Sequence, residues 1–452
     1  MRNGQGLAFY EMTEKEEAMN RFAALLLLLT ALSVIPAGSA GSEEADSTTA
    51  GVIRKLEAEI DALREEINSM EGYGRGGRHS RRRRTPAGTD SWISLLEEKV
   101  KGVTRADMNR RSRRKRVNAL LEAITEMPGQ LRFSGGSTAI IQYGYSESND
   151  HTAGTGSFDI YAHTAFGPRS LLFFDLEAVG GNGPGEYFPT MTGLNDDAGS
   201  TQDQDGLDRL NVLEAWSEFT LLDRRCTITA GKIDLTNYFD HNASANDETT
   251  QFISSAFVNS AAFAVPDNSP GIRFRTTLAD RFHFQLGLSS VDNSGKDLFK
   301  DIYRIGSLGF TFFPDSDFES NFRFYGYQHP SAEDSFGYGI SLDHVSFGAF
   351  NLFARYGLNQ DELADLWKIE SAWSAGARMV HQVAGKTAVL GIAAGESSPA
   401  SSVLERERMM EIYTRWSLNE WTSISPHFQL VWNADGTSER ITLFGIRTNY
   451  SF

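Results

Sequence analysis

One cysteine stands in the 452 residues of this chain. Cys226 has no partner within the sequence, so an internal disulfide is excluded, and in a strand it reads as a small packing residue. Long apolar runs are equally scarce. Beyond residue 40 no stretch of about 18 apolar residues occurs, so nothing there reads as a membrane-spanning helix. Positive charge is scarce in the larger part of the chain, where residues 128–452 hold 22 Lys/Arg against 40 Asp/Glu. Residues 73–127 reverse this with 15 against 6. The two regions therefore meet different surroundings.

What is abundant is aromatic residues and glycine: 30 Phe, 14 Tyr, 7 Trp and 42 Gly. A membrane barrel needs this mixture. Apolar side chains on half of each strand keep overall hydropathy low, and aromatics mark the two interfaces. The segment Ile441–Phe452 shows the pattern, with Phe444, Ile446, Tyr450 and Phe452 apolar at alternate positions. A period of two gives one face suited to lipid and one to water. Tyr450 and Phe452 then fall at an aromatic girdle and are expected to form the C-terminal signal read by the barrel-assembly machinery.

The N-terminal part divides into three. Phe22 to Ile35 is an apolar run flanked by Arg21 and by Pro36-Ala-Gly-Ser-Ala40, which reads as a secretory signal peptide over residues 1–40, with Met19 as the expected true start. Within residues 41–72, Ile53, Leu56, Ile60, Leu63, Ile67 and Met70 recur at steps of three and four. That is a heptad seam, a short coiled-coil helix that is only marginally stable alone. Its Ile and Leu/Met pattern points to dimers, whereas analogy with other channels of this architecture points to a trimer, the expected homo-oligomer. Residues 73–127 form a basic linker and helix containing Arg81–Arg84 and Arg110–Arg116. Behind an export signal such a segment meets anionic cell-wall polymer or lipid rather than nucleic acid, or is simply a solvated linker.

From residue 128 the texture changes to short alternating strands separated by Gly, Asp, Asn, Ser and Pro clusters. Sixteen starts are expected, near Leu131, Phe158, Ser170, Leu210, Cys226, Gly271, Phe282, Tyr303, Ser320, Phe336, Ala349, Ser371, Lys386, Met409, Thr422 and Arg440. The fold class is therefore an all-β, 16-stranded antiparallel transmembrane barrel with a short helical periplasmic region, set in a bacterial outer membrane. In Phe282–Leu288, Phe282, Phe284, Leu286 and Leu288 are expected outward, with His283, Gln285 and Gly287 inward. Ile272–Leu278 sends Arg273 and Arg275 inward in the same way. Phe166–Ser170 and Leu278–Arg281 read as tight periplasmic turns. The long polar joins, 180–208 and 235–270, belong outside the membrane or folded into the pore.

The stretch Gly231-Lys-Ile-Asp-Leu-Thr-Asn-Tyr-Phe-Asp240, continuing through Ala245-Asn-Asp-Glu-Thr-Thr-Gln-Phe252 to Pro270-Gly-Ile-Arg-Phe274, resembles the carbohydrate-selective, OprB-type porin family. The resemblance covers about Gly129 to Phe452 and implies passive diffusion of sugars and other small polar solutes. No surface-layer-homology module precedes the heptad helix, so the wall anchoring of relatives that carry one does not transfer. The loop residues Asp234, Asn237, Tyr238, Phe239, Asp240, Asn246, Asp247, Glu248 and Gln251 offer acceptors and ring faces to sugars. Arg273 and Arg275 supply a cationic side opposite them.

Other chemistry finds little support. Residues 195–208 are acidic but lack the spacing and distal glutamate of a calcium loop, so no metal or cofactor is expected. His283 and His427 each have a serine nearby, yet no nucleophile, base and orienting group come together, and an enzyme is not expected. The alternative reading is a tether between outer membrane and cell wall, with the barrel as its anchor.

Overall fold

The computed structural model describes residues 131–452 apart from 168, 199–208, 223–224, 279–280, 299, 314–319, 333, 348–349, 384–385 and 420. The expected signal peptide, heptad seam and basic segment lie outside the described residues, as does most of the acidic loop 195–208.

Sixteen strands follow one another among the described residues. The first eight are β1 (Arg132–Tyr145), β2 (Asp150–Gly167), β3 (Ser170–Asn182), β4 (Arg209–Leu221), β5 (Cys226–Ile233), β6 (Ser269–Leu278), β7 (Phe282–Ser290) and β8 (Ile302–Phe312). The rest are β9 (Ser320–Gln328), β10 (Gly337–Phe347), β11 (Phe350–Asn359), β12 (Ile369–Val383), β13 (Lys386–Pro399), β14 (Glu407–Ser417), β15 (Thr422–Trp432) and β16 (Arg440–Ser451). Each pairs antiparallel with its neighbours in the chain, and β16 pairs with β1, closing the barrel. Closure matters because no water is available in lipid to satisfy an open sheet edge.

Alternation decides which way each side chain points. On β7, Phe282, Leu286 and Leu288 are exposed outward while Gln285 and Gly287 are buried inward. On β15 the inward positions Ser423, Ser425, His427 and Gln429 are all polar and buried. Large apolar residues are exposed along the outer surface, with aromatic residues gathered towards its two ends. Phe133, Phe219, Phe282, Phe312, Trp416, Tyr450 and Phe452 lie towards one end, and Tyr356, Trp367 and Trp373 towards the other.

The two ends differ in their connections. After even-numbered strands the joins are short, such as 168–169, 279–281 and 384–385. After odd-numbered strands most are longer, reaching 183–208 and 234–268, although β1 and β2 are joined by only 146–149. In outer-membrane barrels the short turns face the periplasm.

The β5–β6 connection packs inside the barrel rather than over it. It holds two single-turn helices, α1 (Thr236–Phe239) and α2 (Ser255–Val258). Asp234 accepts from the Thr236 amide at 2.8 Å and Ser254 from the Ala256 amide at 3.2 Å, which starts each turn. Phe252 sits among Phe257, Phe353 and Tyr413, and Phe263 against Tyr325 and Tyr327, so the connection carries its own apolar anchors into the wall. Gly287 is necessary for this close approach. A Cβ there would lie 3.0 Å from the Phe239 ring.

Candidate functional site

A chain segment inside a barrel must find partners for its own amides and carbonyls. The inner wall supplies them, largely as arginines on one side. Arg323 on β9 donates to the His241 carbonyl at 2.6 Å and to Asp343 at 2.8 Å. Arg355 on β11 donates to the carbonyls of Phe257, Asp240 and Ala245, and its Nε lies 3.0 Å from the Asp240 carboxylate. Arg378 on β12 reaches the Ala243 carbonyl at 3.4 Å. Arg447 on β16 donates to the carbonyls of Glu248 at 2.6 Å and Gln251 at 3.0 Å. Amides of the connection are met by carboxylates: Glu411 on β14 accepts from Ile253 at 2.8 Å and Ser254 at 3.0 Å.

The β3–β4 connection is held similarly where it is described. Glu407 accepts from the amides of Met191 and Thr192, and Gln429 donates to the Leu194 carbonyl at 3.0 Å. Asn195 donates to Gln142 at 2.9 Å. The two inserted connections also join each other, since the Asp196 amide donates to the Ile253 carbonyl at 2.9 Å and the Ser255 amide to the Gly193 carbonyl at 3.1 Å.

This geometry redistributes the roles expected from sequence. Of the eleven candidate solute contacts, Asp234, Asp247 and Glu248 are partly exposed. Asn237, Tyr238, Phe239, Asp240, Asn246, Gln251, Arg273 and Arg275 are buried. Asp240 is paired with Arg355 and receives the Tyr325 hydroxyl at 2.9 Å and the Ser260 amide at 2.7 Å. Asn246 donates to Asn237 and takes its own amide bond to Gln251, so these amides hold the loop's turns. Tyr238 is buried, and Arg273 lies 4.1 Å over one face of its ring. Arg273 is engaged at the wall. It is fully buried, donates to Gln285 at 2.8 Å and sits 3.7 Å from Glu218 on β4, while Arg275 meets His283 at 3.1 Å.

Sequence reasoning missed Arg323, Arg355, Arg447 and Glu411. The available signal was register. Each occupies an inward position in a strand whose outward residues are apolar, as Arg323 does between Phe322 and Phe324. A charge at such a position needs a partner inside.

Acids gather on the connections themselves. Burial raises the Asp197 carboxyl to about 6 against the pull of the Ser157 hydroxyl and Arg447. Glu248 is raised well above the usual carboxylate range, first by desolvation and then by Asp196, Asp247 and Asp197. Among the described residues, no group of three acids, histidines or cysteines is placed to hold a metal ion.

A closed sixteen-stranded barrel with an apolar outer surface, a polar inner wall and a connection folded into its lumen defines an outer-membrane porin, a channel that performs no bond chemistry. Comparison with known proteins makes this specific. The sequence pattern of the carbohydrate-selective porin (OprB) family matches residues 173–317 and 348–452, and the chain belongs to that family. The high-pH structure of Pseudomonas putida OprB superposes with a TM-score of 0.57 at 11% identity, covering 71% of this chain and 94% of its own. The low-pH structure of the same protein gives 0.50 at 11% identity, covering 78% and 99%. An uncharacterized protein of Aquifex aeolicus (strain VF5) is 26% identical over 300 residues, 66% of this chain and 84% of its own length.

Proposed function

We propose that sugars and small polar solutes diffuse down their gradients past the exposed side of the β5–β6 connection, where Asp234, Asp247 and Glu248 accept from solute hydroxyls. The observation that carries this reading is the clamping of that connection by Arg323, Arg355 and Arg447 from three strands, which supports a rigid constriction rather than a swinging loop. A porin lowers the barrier for a polar solute by replacing water with fixed acceptors and donors, and fixed groups do so without reorganising. The heptad seam Ile53–Met70 supports association, with a trimer as the assembly proposed. The basic segment 73–127 suits an anionic cell-wall partner beneath the membrane, and the apolar outer surface suits lipid.

Single-channel conductance in planar bilayers, with glucose and maltose titrated into the bath, tests the pore reading. Stable open steps that sugars block saturably are expected. Steps that sugars merely dilute would reduce the reading to a general diffusion pore, and an absence of steps would favour the tether.

A further inference from the structure

We propose that the lumen holds a site for an organic cation, the protonated amine of a hydroxylated solute, where the two inserted connections meet. This rests on the porin reading above and adds a charge to its substrate class. The β3–β4 connection brings Asp196 and Asp197 to this place and the β5–β6 connection brings Asp247 and Glu248. The junction is fixed by the amide bonds of Asp196 and Ser255 across the two segments, and by the Ser254 hydroxyl, which donates to the Gly193 carbonyl at 2.8 Å.

Asp197 gives the second, independent observation. The residue is 1% exposed, Oδ1 accepts from the Ser157 hydroxyl on β2 at 2.8 Å, and Oδ2 has no hydrogen-bond partner among the described residues. A buried carboxylate oxygen left without a donor is costly, and a native structure retains one where something else supplies the donor. The acids Asp196, Asp247 and Glu248 lie within electrostatic reach of one another, and Asp196 and Asp247 also act on Asp197. Arg447 attracts Asp197 and Asp247, but its Nη1 is committed to the carbonyls of Glu248 and Gln251. The four carboxyls are therefore crowded and undercompensated at the junction, and an incoming cation would stabilise their ionised forms.

The kind of cation follows from how that charge is arranged. A bare divalent ion needs several oxygens at about 2.0–2.6 Å from one point, and no three acidic groups here are placed to give them. An ammonium group carries three donors in different directions. Attached to a hydroxylated frame, it engages carboxylates that are spread out, while its hydroxyls take the acceptors already proposed for neutral sugars.

Initial uptake of glucosamine and of glucose into liposomes containing the full chain, at neutral pH, tests the proposal. Glucosamine is expected to enter faster by roughly fivefold, the worth of one ion pair in a water-filled passage. In Asp197→Asn/Glu248→Gln the ratio of the two rates should fall towards unity. Asp297→Asn, at an exposed acid of the β7–β8 connection, should leave it as in the parent. Equal rates in the parent, a ratio that survives the double substitution, or a ratio lost equally in Asp297→Asn would each overturn the site. Failure of glucose to enter at all would instead overturn the porin reading. Should the double variant not yield a folded barrel, Glu248→Gln alone keeps the carbonyl that Arg447 uses, and the ratio must still fall.

Discussion

Arg355→Met is expected to release the β5–β6 connection from the wall and raise single-channel conductance while leaving the barrel assembled. Arg355 and Asp240 are both fully buried. Methionine fills much of the same volume but carries no charge and no donor, so it leaves Asp240 without its cation and strips the donated bonds from the carbonyls of Phe257, Asp240 and Ala245. Breaking a buried ion pair from one side costs about 3–5 kcal/mol. The Tyr325 hydroxyl and Ser260 amide still reach Asp240, and Arg323 attracts it more weakly, but no cation remains paired with it. The β10–β11 and β11–β12 ladders use backbone groups and are untouched by the substitution. The cost therefore falls on the inserted segment. Bilayer recordings should show larger and noisier open steps with weaker sugar block, and Asp240→Asn/Arg355→Met should recover part of the parental conductance. Parental steps from a folded Arg355→Met barrel would mean that the arginine does not set the constriction.

The barrel was legible because lipid imposes a strict rule on each strand. Fifteen of the sixteen expected starts lie within two residues of the observed ones, as Phe282, Ser320, Lys386 and Thr422 show. The exception is β2, which begins at Asp150 rather than near Phe158. Its first half, Asp150-His-Thr-Ala-Gly-Thr-Gly-Ser157, has threonine and glycine at the outward positions instead of large apolar residues. With no alternation it reads as a loop, and its pairing with Thr138–Tyr145 on β1, joined from Gly154 onward by Val179–Asn182 on β3, makes it a strand. This is tertiary context overriding local pattern.

The constriction was legible only in part, for a related reason. Length and composition marked 235–270 as a connection that leaves the membrane or enters the pore, and register sent Arg273 and Arg275 inward. What register does not carry is the partner across the lumen. Arg273 is consumed by Gln285, Tyr238 and Glu218, all near it on the wall or on α1. Arg355 and Arg447 look no different in the sequence, yet they reach carbonyls 98 to 199 residues away. Polar residues in an inserted loop are first needed by the loop's own backbone, so most of those that resemble solute ligands are already occupied.

Gly135→Val is expected to be the most damaging single change at the barrel seam. Gly135 on β1 exchanges both backbone bonds with Phe452, its amide donating at 3.0 Å and its carbonyl accepting at 2.9 Å, and these bonds complete the β1–β16 closure. A Cβ built there would stand 2.3 Å from the Asp159 carbonyl oxygen and 2.7 Å from the Phe452 ring. The ring can turn aside, but the carbonyl belongs to the β2 ladder and moves only with the strand. Overpacking of this kind costs about 1–3 kcal/mol. Any seam bond lost at the lipid boundary adds to it, since unpaired backbone groups have no water to turn to. Gly156→Ala is the matched control on β2, because the nearest atom to a Cβ there is 3.7 Å away. Heat-modifiable gel mobility of membrane fractions should show the compact folded form for the parent and Gly156→Ala, and chiefly the unfolded form for Gly135→Val. Phe452→Ala placed on top of Gly135→Val should not restore folding, because the carbonyl clash remains. Restoration would place the constraint in the aromatic ring instead of the β1–β2 backbone.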